Sequence, residues 1–322
     1  MKVGIVGATG EVGRTMIKVL EESNLKVDGL RLFASKKSAG KKLKFKDKEY
    51  TIEEISENVM REKYDYLLFS AGGNVSREYA PIAAEAGNVI IDNSSAFRMQ
   101  ENIPLVVPEI NGEIIKNYKG IIANPNCSTI QMVLALSEIQ KQIGIEEIFV
   151  STYQAVSGAG NKGIQELLNQ QNGINNTAHF PDIIMNNVIP QIGPILENGF
   201  TEEEMKMVNE TRKIFNDDSI SVYPTAVRVP VLYGHSESVV FRIKKDIPLE
   251  TIKNLISATE NVVYTEKLLT PLMVAGSNIT YVSRLRKMGK NTFLIWIVAD
   301  NVRVGAATNA VRILLKHLEM RD

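Results

Sequence analysis

Val3-Gly4-Ile5-Val6-Gly7-Ala8-Thr9-Gly10-Glu11-Val12-Gly13 decides the fold of the amino-terminal half. Its first four residues read as a short buried strand, and the apolar spacing from Glu11 to about Leu20 predicts an amphipathic helix. Glycines between them let the backbone approach a pyrophosphate, which then rests on the helix N-terminus. Gly7, Thr9, Gly10, Glu11 and Val12 are therefore candidate dinucleotide contacts. Tight strand-to-helix turns need glycine in any case, so the motif gains its weight from its sequel. That sequel is a second strand over 30–34, at the spacing of a βαβ unit.

The end of the second strand distinguishes the two nicotinamide cofactors. An acidic residue there would hold a free ribose 2′-hydroxyl and repel a 2′-phosphate. The chain reads Ser35-Lys36-Lys37-Ser38-Ala39-Gly40-Lys41-Lys42. Hydroxyl and ammonium groups at Ser35, Lys37 and Ser38 suit a phosphate, so NADP is the expected cofactor. A solvated lysine-rich turn is the plain alternative for any one of these lysines. Asp28 precedes the strand and stands at the wrong end to bind a ribose.

The alternation continues with a strand over 66–70, the loop Ala71-Gly72-Gly73, a helix to about Gly87 and a strand over 89–92. This pattern predicts a mostly parallel sheet covered on both faces. Ala71 and Gly72 would then lie at the carboxyl edge, where such sheets bind ligands, although a simple loop reads as well.

Cys127 is the only cysteine in 322 residues. It cannot close a disulfide within the chain or build a multi-thiolate metal site, which leaves a nucleophile or a small buried hydrophobe. It stands where Asn124-Pro125-Asn126 turns into the apolar helix Cys127-Ser128-Thr129-Ile130. Unpaired amides and the helix dipole favour a thiolate at that point. No metal cluster and no bound prosthetic group is indicated.

Beyond Cys127 the rhythm changes. Long strands are expected over 148–156, 226–231, 236–243, 281–286 and 292–298, which suggests a mixed or antiparallel sheet and an α+β second domain. A final helix over about 302–318 would return to the first domain. Glu210 and Lys213, three apart in a predicted helix over 201–215, share a face and could grip a charged ligand or form an ordinary surface pair. Arg228 and His235 flank a segment interrupted by Pro230, leaving the arginine able to clamp a carboxylate and the histidine free for proton transfer. Asn93-Ser94-Ser95-Ala96-Phe97-Arg98 offers another anion-binding arginine.

Lysine plus arginine and aspartate plus glutamate number 37 each. No overall basic charge recommends nucleic acid. The longest apolar runs, such as residues 293–299, are strand-sized and too short to cross a bilayer, and the amino terminus has no signal-peptide architecture. A cytoplasmic enzyme with a small-molecule substrate is expected.

Taken together, the chain resembles aspartate-semialdehyde dehydrogenase of the bacterial type. The resemblance rests on the Gly7 to Gly13 motif, Asn124-Pro125-Asn126-Cys127-Ser128-Thr129, and Ser151-Thr152-Tyr153-Gln154-Ala155-Val156-Ser157-Gly158-Ala159-Gly160. It extends to Arg228-Val229-Pro230-Val231 followed by His235-Ser236-Glu237-Ser238, and to Asp300-Asn301 with Gly305-Ala306-Ala307. The stretch 172–187 is shorter than the corresponding loop of many members.

The resemblance implies an α/β protein. A Rossmann-like NADP-binding domain would cover 1–127, completed by 301–322, with an α+β catalytic and dimerisation domain over 128–300. It implies reduction of L-aspartyl 4-phosphate to L-aspartate 4-semialdehyde by NADPH through a Cys127 thioester, on the route to lysine, threonine, methionine and diaminopimelate. It further implies that His235 exchanges protons at the site and that Gln154 orients the substrate. Arg228 would pair with the α-carboxylate and Glu210 with the α-ammonium, while Arg98, Lys213 and Asn126 hold the phosphate and Ser157 adds to the substrate pocket. Gly158, Ala159 and Asn301 would approach the nicotinamide. A homodimer is implied, with a tetramer as the alternative. The nearest rival enzymes are thiol-based reductases of the N-acetyl-glutamyl-phosphate or glyceraldehyde-phosphate type, and a rival of another class is a nucleotide-binding scaffold without turnover.

Overall fold

A computed structural model describes residues 1–321. The chain divides into two compact units, Met1–Pro125 together with the chain from Ala306, and Asn126–Gly305.

The first unit runs β1 (Lys2–Val6), α1 (Glu11–Glu22), β2 (Gly29–Ala34), β3 (Lys42–Phe45), β4 (Lys48–Glu54), α2 (Glu57–Met60), β5 (Tyr66–Phe69), α3 (Gly73–Glu85), β6 (Val89–Asp92), α4 (Pro108–Asn111) and β7 (Gly120–Ala123). Its seven strands lie in the order β3-β4-β2-β1-β5-β6-β7. All neighbours are parallel except the β3/β4 hairpin. That hairpin grows directly out of the lysine-rich segment, whose alternating pattern is too polar to announce a strand; only Phe45 and Ile52 are buried in it. β1, β5 and β6 are buried almost throughout, as strands covered on both faces must be.

The second unit runs α5 (Cys127–Gln142), β8 (Ile145–Gln154), α6 (Gly160–Gln171), α7 (Glu202–Phe215), β9 (Ser221–Arg228), β10 (His235–Ile243), α8 (Leu249–Ala258), β11 (Val262–Tyr264), α9 (Pro271–Val274), β12 (Thr280–Met288) and β13 (Thr292–Ala299). Its sheet has the order β11-β12-β13-β10-β8-β9. β8/β9 and β11/β12 are parallel and the rest antiparallel, so the sheet is mixed. One face packs on α5, which is buried along most of its length. The other exposes Phe149, Tyr153 and Tyr223.

Two expected elements differ. The strand expected over 226–231 is Ser221–Arg228: Pro224 sits inside it because β9 is an edge strand, where a missing N–H removes no ladder bond. The final helix expected from 302 begins as π-helical turns at Arg303–Thr308, and regular α10 covers Asn309–Glu319. Wide π turns fit a chain that passes tightly packed residues, and such turns are frequent near functional sites. Among the described residues no helix is long and apolar enough to cross a membrane.

Candidate active site

In the first unit, the β1–α1 turn is shaped for close approach. Gly7 adopts φ 84°, and a side chain there would meet the backbone of Ser70 and Ala71 at 2.8 Å. A side chain at Gly13 would collide with the Gly7 carbonyl. Gly10 precedes α1 with no side-chain cap, so the first amides of the helix, including those of Glu11 and Val12, remain directed outward from its N-terminus. The Thr9 carbonyl accepts from Arg14 Nε at 3.1 Å, which fixes the turn from the helix side. Gly72 stands at φ 88° before α3, and a side chain there would touch nothing within 4 Å. Such a glycine leaves open backbone beside Ala71. The arrangement fits a dinucleotide: Gly7 and Gly13 exclude Cβ atoms, Gly72 holds a positive φ beside open space, and both helices begin without a side-chain cap. Ser35 and Lys37 are exposed beyond the end of β2, with Ser38 half-buried in the same turn. Asp28 instead accepts a bond from the Met1 ammonium at 2.5 Å.

Arg98 also belongs to this unit. It is buried, and its guanidinium donates to the carbonyls of Asn124 at 2.8 Å and Asn93 at 3.0 Å. These bonds orient the fork.

The second unit assembles the thiol chemistry. Asn126 caps α5: its Oδ1 accepts from the N–H groups of Ser128 at 2.9 Å and Thr129 at 3.2 Å. Such a cap stabilises a helix by about 1 kcal/mol and fixes the direction of its first residue, Cys127. Cys127 Sγ lies 3.3 Å from His235 Nε2. The Ala155 N–H donates to His235 Nδ1 at 3.0 Å. A nitrogen that accepts this bond carries no proton, so the neutral ring bears its proton on Nε2, facing the sulfur. Burial holds the His235 pKa well below its ordinary value, and the nearby Arg228 charge pushes the same way.

Arg228 ends β9 and donates from Nη1 to the Ala155 carbonyl at 2.8 Å. Burial lowers its pKa while Glu203 and Cys127 oppose that fall. Gly158 lies against both cationic and imidazole groups: a Cβ there would meet Arg228 Nη1 at 2.8 Å and His235 at 3.3 Å. Ala159 follows in the same turn. Gly305 has the same relation to the nucleophile, since a Cβ would stand 2.5 Å from Cys127 Cβ. Asn301 ties two segments together, accepting the Gly234 N–H at 2.9 Å while its Nδ2 donates to Ser157 Oγ at 3.0 Å.

The carboxylates of α7 are placed differently from the expected ligand grip. Glu210 is buried, and its Oε2 accepts the backbone N–H of Asn126 at 2.6 Å. Lys213, whose pKa burial lowers and Glu210 raises, lies one turn further along. Glu203, two turns before Glu210, was not singled out from sequence. Its Oε1 accepts from Asn126 Nδ2 at 2.8 Å and Gln154 Nε2 at 3.3 Å. The signal available in the sequence was the i, i+7 spacing of Glu203 and Glu210, which puts both on one helical face. Gly305 and the Ala155 N–H were also missed, because both act only through tertiary proximity.

Cys127, His235, Gln154, Arg228, Asn126, Ser157, Gly158, Asn301 and Glu210 thus share one connected neighbourhood. No group of three or more His, Cys, Asp or Glu poised for a metal ion occurs among the described residues.

Known proteins match both halves. The semialdehyde dehydrogenase NAD binding domain model matches residues 2–118, and the semialdehyde dehydrogenase dimerisation domain model matches 136–304. Aspartate-semialdehyde dehydrogenase of Aquifex aeolicus is 48% identical, with 97% of this chain and 96% of that protein covered. Its counterpart in Campylobacter jejuni is 45% identical over 100% of this chain and 98% of that protein. The crystal structure of aspartate semialdehyde dehydrogenase II from Vibrio cholerae complexed with ASA shares 47% identity and superposes with a TM-score of 0.94, covering 99% of this chain and 98% of that one. Full-length identity near one half, joined to the thiol and imidazole pairing described above, places the chain in the aspartate-semialdehyde dehydrogenase family.

Proposed function

We propose that the chain reduces L-aspartyl 4-phosphate to L-aspartate 4-semialdehyde, releasing phosphate, with NADPH as reductant and Cys127 as the covalent nucleophile. The observation that carries this reading is the 3.3 Å approach of Cys127 Sγ to His235 Nε2 at the N-terminus of a capped helix. The product supplies the biosynthesis of lysine, threonine, methionine and diaminopimelate.

The Cys127 thiolate attacks the acyl carbon; a C–S bond forms, the C–O bond to phosphate breaks and phosphate departs. The Nε2–H of His235 supports negative charge on sulfur and gives a donor for an oxyanion at the same carbon. Arg228 offers a planar fork for the substrate α-carboxylate, and Gln154 orients the acyl group. Glu210, which also holds the Asn126 N–H, is proposed for the α-ammonium. Lys213 and Arg98 are proposed for phosphate, with Asn126 and Ser157 completing the pocket. When bound, the dinucleotide supplies a hydride. Gly7, Thr9, Gly10, Glu11, Val12, Ala71 and Gly72 would hold its pyrophosphate region, Gly158, Ala159 and Asn301 its nicotinamide. Ser35, Lys37 and Ser38 are the side chains suited to a 2′-phosphate, which favours NADP over NAD.

A homodimer is the assembly this reading favours. Phe149 and Tyr223 stack at 4.5 Å and Tyr153 lies 5.6 Å from Trp296 on the outer face of the second sheet, an aromatic surface suited to a second copy. The cytoplasm is its proposed location.

Initial-rate formation of reduced nicotinamide from aspartate semialdehyde, with and without phosphate and with NADP or NAD, tests the reading. Strict phosphate dependence supports it. Activity indifferent to phosphate would mean that water, not phosphate, resolves the thioester, and no activity with either cofactor would overturn the substrate assignment.

A further inference from the structure

Glu203 is an acid in the first turn of α7, where the helix dipole alone would explain its presence. Its partners ask for more. Oε1 takes hydrogen bonds from two side-chain amides, those of Asn126 at 2.8 Å and Gln154 at 3.3 Å. Oε2 takes one from Lys206 Nζ at 3.2 Å. The residue is 6% exposed. Asn126 precedes the nucleophile, and Gln154 is the amide proposed to orient the substrate.

We propose that Glu203 is a positioning residue, a buried carboxylate that locks the amides of Asn126 and Gln154 in one orientation and thereby fixes the nucleophile's turn relative to the substrate-orienting group. The role rests on the function proposed above and goes beyond it.

The argument is one of donors and acceptors. A carboxylate only accepts, so each amide turned toward it must present its NH2. Asn126 then has its Oδ1 free to cap Ser128 and Thr129, as observed. Gln154 donates to Glu203 and, at 3.3 Å, to Thr152 Oγ1, which leaves its carbonyl oxygen as the atom available to a ligand. A glutamine at 203 could still accept both amides through one oxygen, but its NH2 would then face the Lys206 ammonium, donor to donor, and the charge that strengthens these bonds would be gone.

The charge is retained in the interior. Burial pushes the Glu203 pKa up, but Lys206, the Asn126 amide and Arg228 outweigh it and leave it below the ordinary value. Charged groups around the carboxylate are Lys206 on its own helix and Arg228 from β9; Cys127 and Glu210 lie on the other side of Asn126. Glu203 and Cys127 both act on Arg228 through their charge, so the carboxylate is part of the electrostatic field around the thiol.

This charge gives a test that mere loosening would not pass. Glu203→Gln in the full-length enzyme should lower kcat for semialdehyde oxidation by about ten- to a hundredfold, with the KM for NADP unchanged. The same change removes a negative charge from the field around Cys127 and Arg228, so the pH midpoint for alkylation of Cys127 by iodoacetamide should move down. An unchanged kcat, or a midpoint that stays put or rises, overturns the proposal. Should Glu203→Gln fail to fold, Lys206→Met leaves the carboxylate in place and removes the cation beside Oε2. Its acid limb of kcat should then lie at higher pH than in the wild type, and an unshifted limb overturns the proposal. Alkylation needs no substrate, so failure of the substrate assignment and failure of this role are read separately.

Discussion

Gln131 on α5 is the polar neighbour of Glu237 on β10, and both side chains are fully buried. The two lie close enough for the amide to favour the ionised carboxylate, yet none of their side-chain polar atoms makes a well-aligned hydrogen bond among the described residues. Burial therefore dominates, and it holds the Glu237 pKa well above the ordinary carboxyl value. Glu237 shares a strand face with His235, two residues away, so a neutral acid here spares the imidazole a negative neighbour.

Stability should follow that shift. The folded-state pKa of Glu237 is raised, so its contribution is fully present below the unfolded value near 4.5 and is lost as pH rises toward the folded value. Glu237→Gln removes the titration. Thermal unfolding of the two proteins should show the variant gaining on the wild type between pH 5 and pH 8, and parallel curves would mean that the carboxyl ionises freely.

Cys127→Ala should reduce turnover by at least about 10⁴-fold while NADP binding, followed by fluorescence titration, persists. Turnover within tenfold of the wild type would exclude a covalent route.

His235 should remain neutral at pH 7, with its proton on Nε2. Nitrogen-15 chemical shifts of the ring are the direct reading: Nδ1 should give the unprotonated type and Nε2 the protonated type. The depressed pKa also predicts a stability contribution present above the unfolded value of 6.5 and lost as pH falls below it. His235→Ala should lower kcat/KM by about 10²- to 10⁴-fold. An imidazolium signal at pH 7 would contradict the bond from Ala155.

Lys37→Ala should erode preference for NADP over NAD by about tenfold, most of it in the KM for NADP. The ratio of kcat/KM for the two cofactors measures it, and an unchanged ratio would move the 2′-phosphate contact to other residues.

The βαβ opening and the Cys127 turn were legible because local patterns carry them: glycines, strand length and a capped helix start all lie within a dozen residues. Arg228 and His235 were legible as residue types, and the structure brings both to the thiol. The hairpin β3/β4 was not, since its strands are polar and rely on pairing with β2. Glu203 was hidden for a related reason. An acid in a helical first turn looks self-explanatory until Asn126 and Gln154 arrive from segments far along the chain.

Gly305 carries no functional group, yet the nucleophile's own Cα and Cβ occupy the space its side chain would need. The smallest replacement, alanine, would have to displace the very atoms that carry the sulfur. A genetic screen for inactive alleles should therefore recover changes at this position beside those at Cys127 and His235, and a designer seeking to harden the protein by replacing glycines should leave it alone.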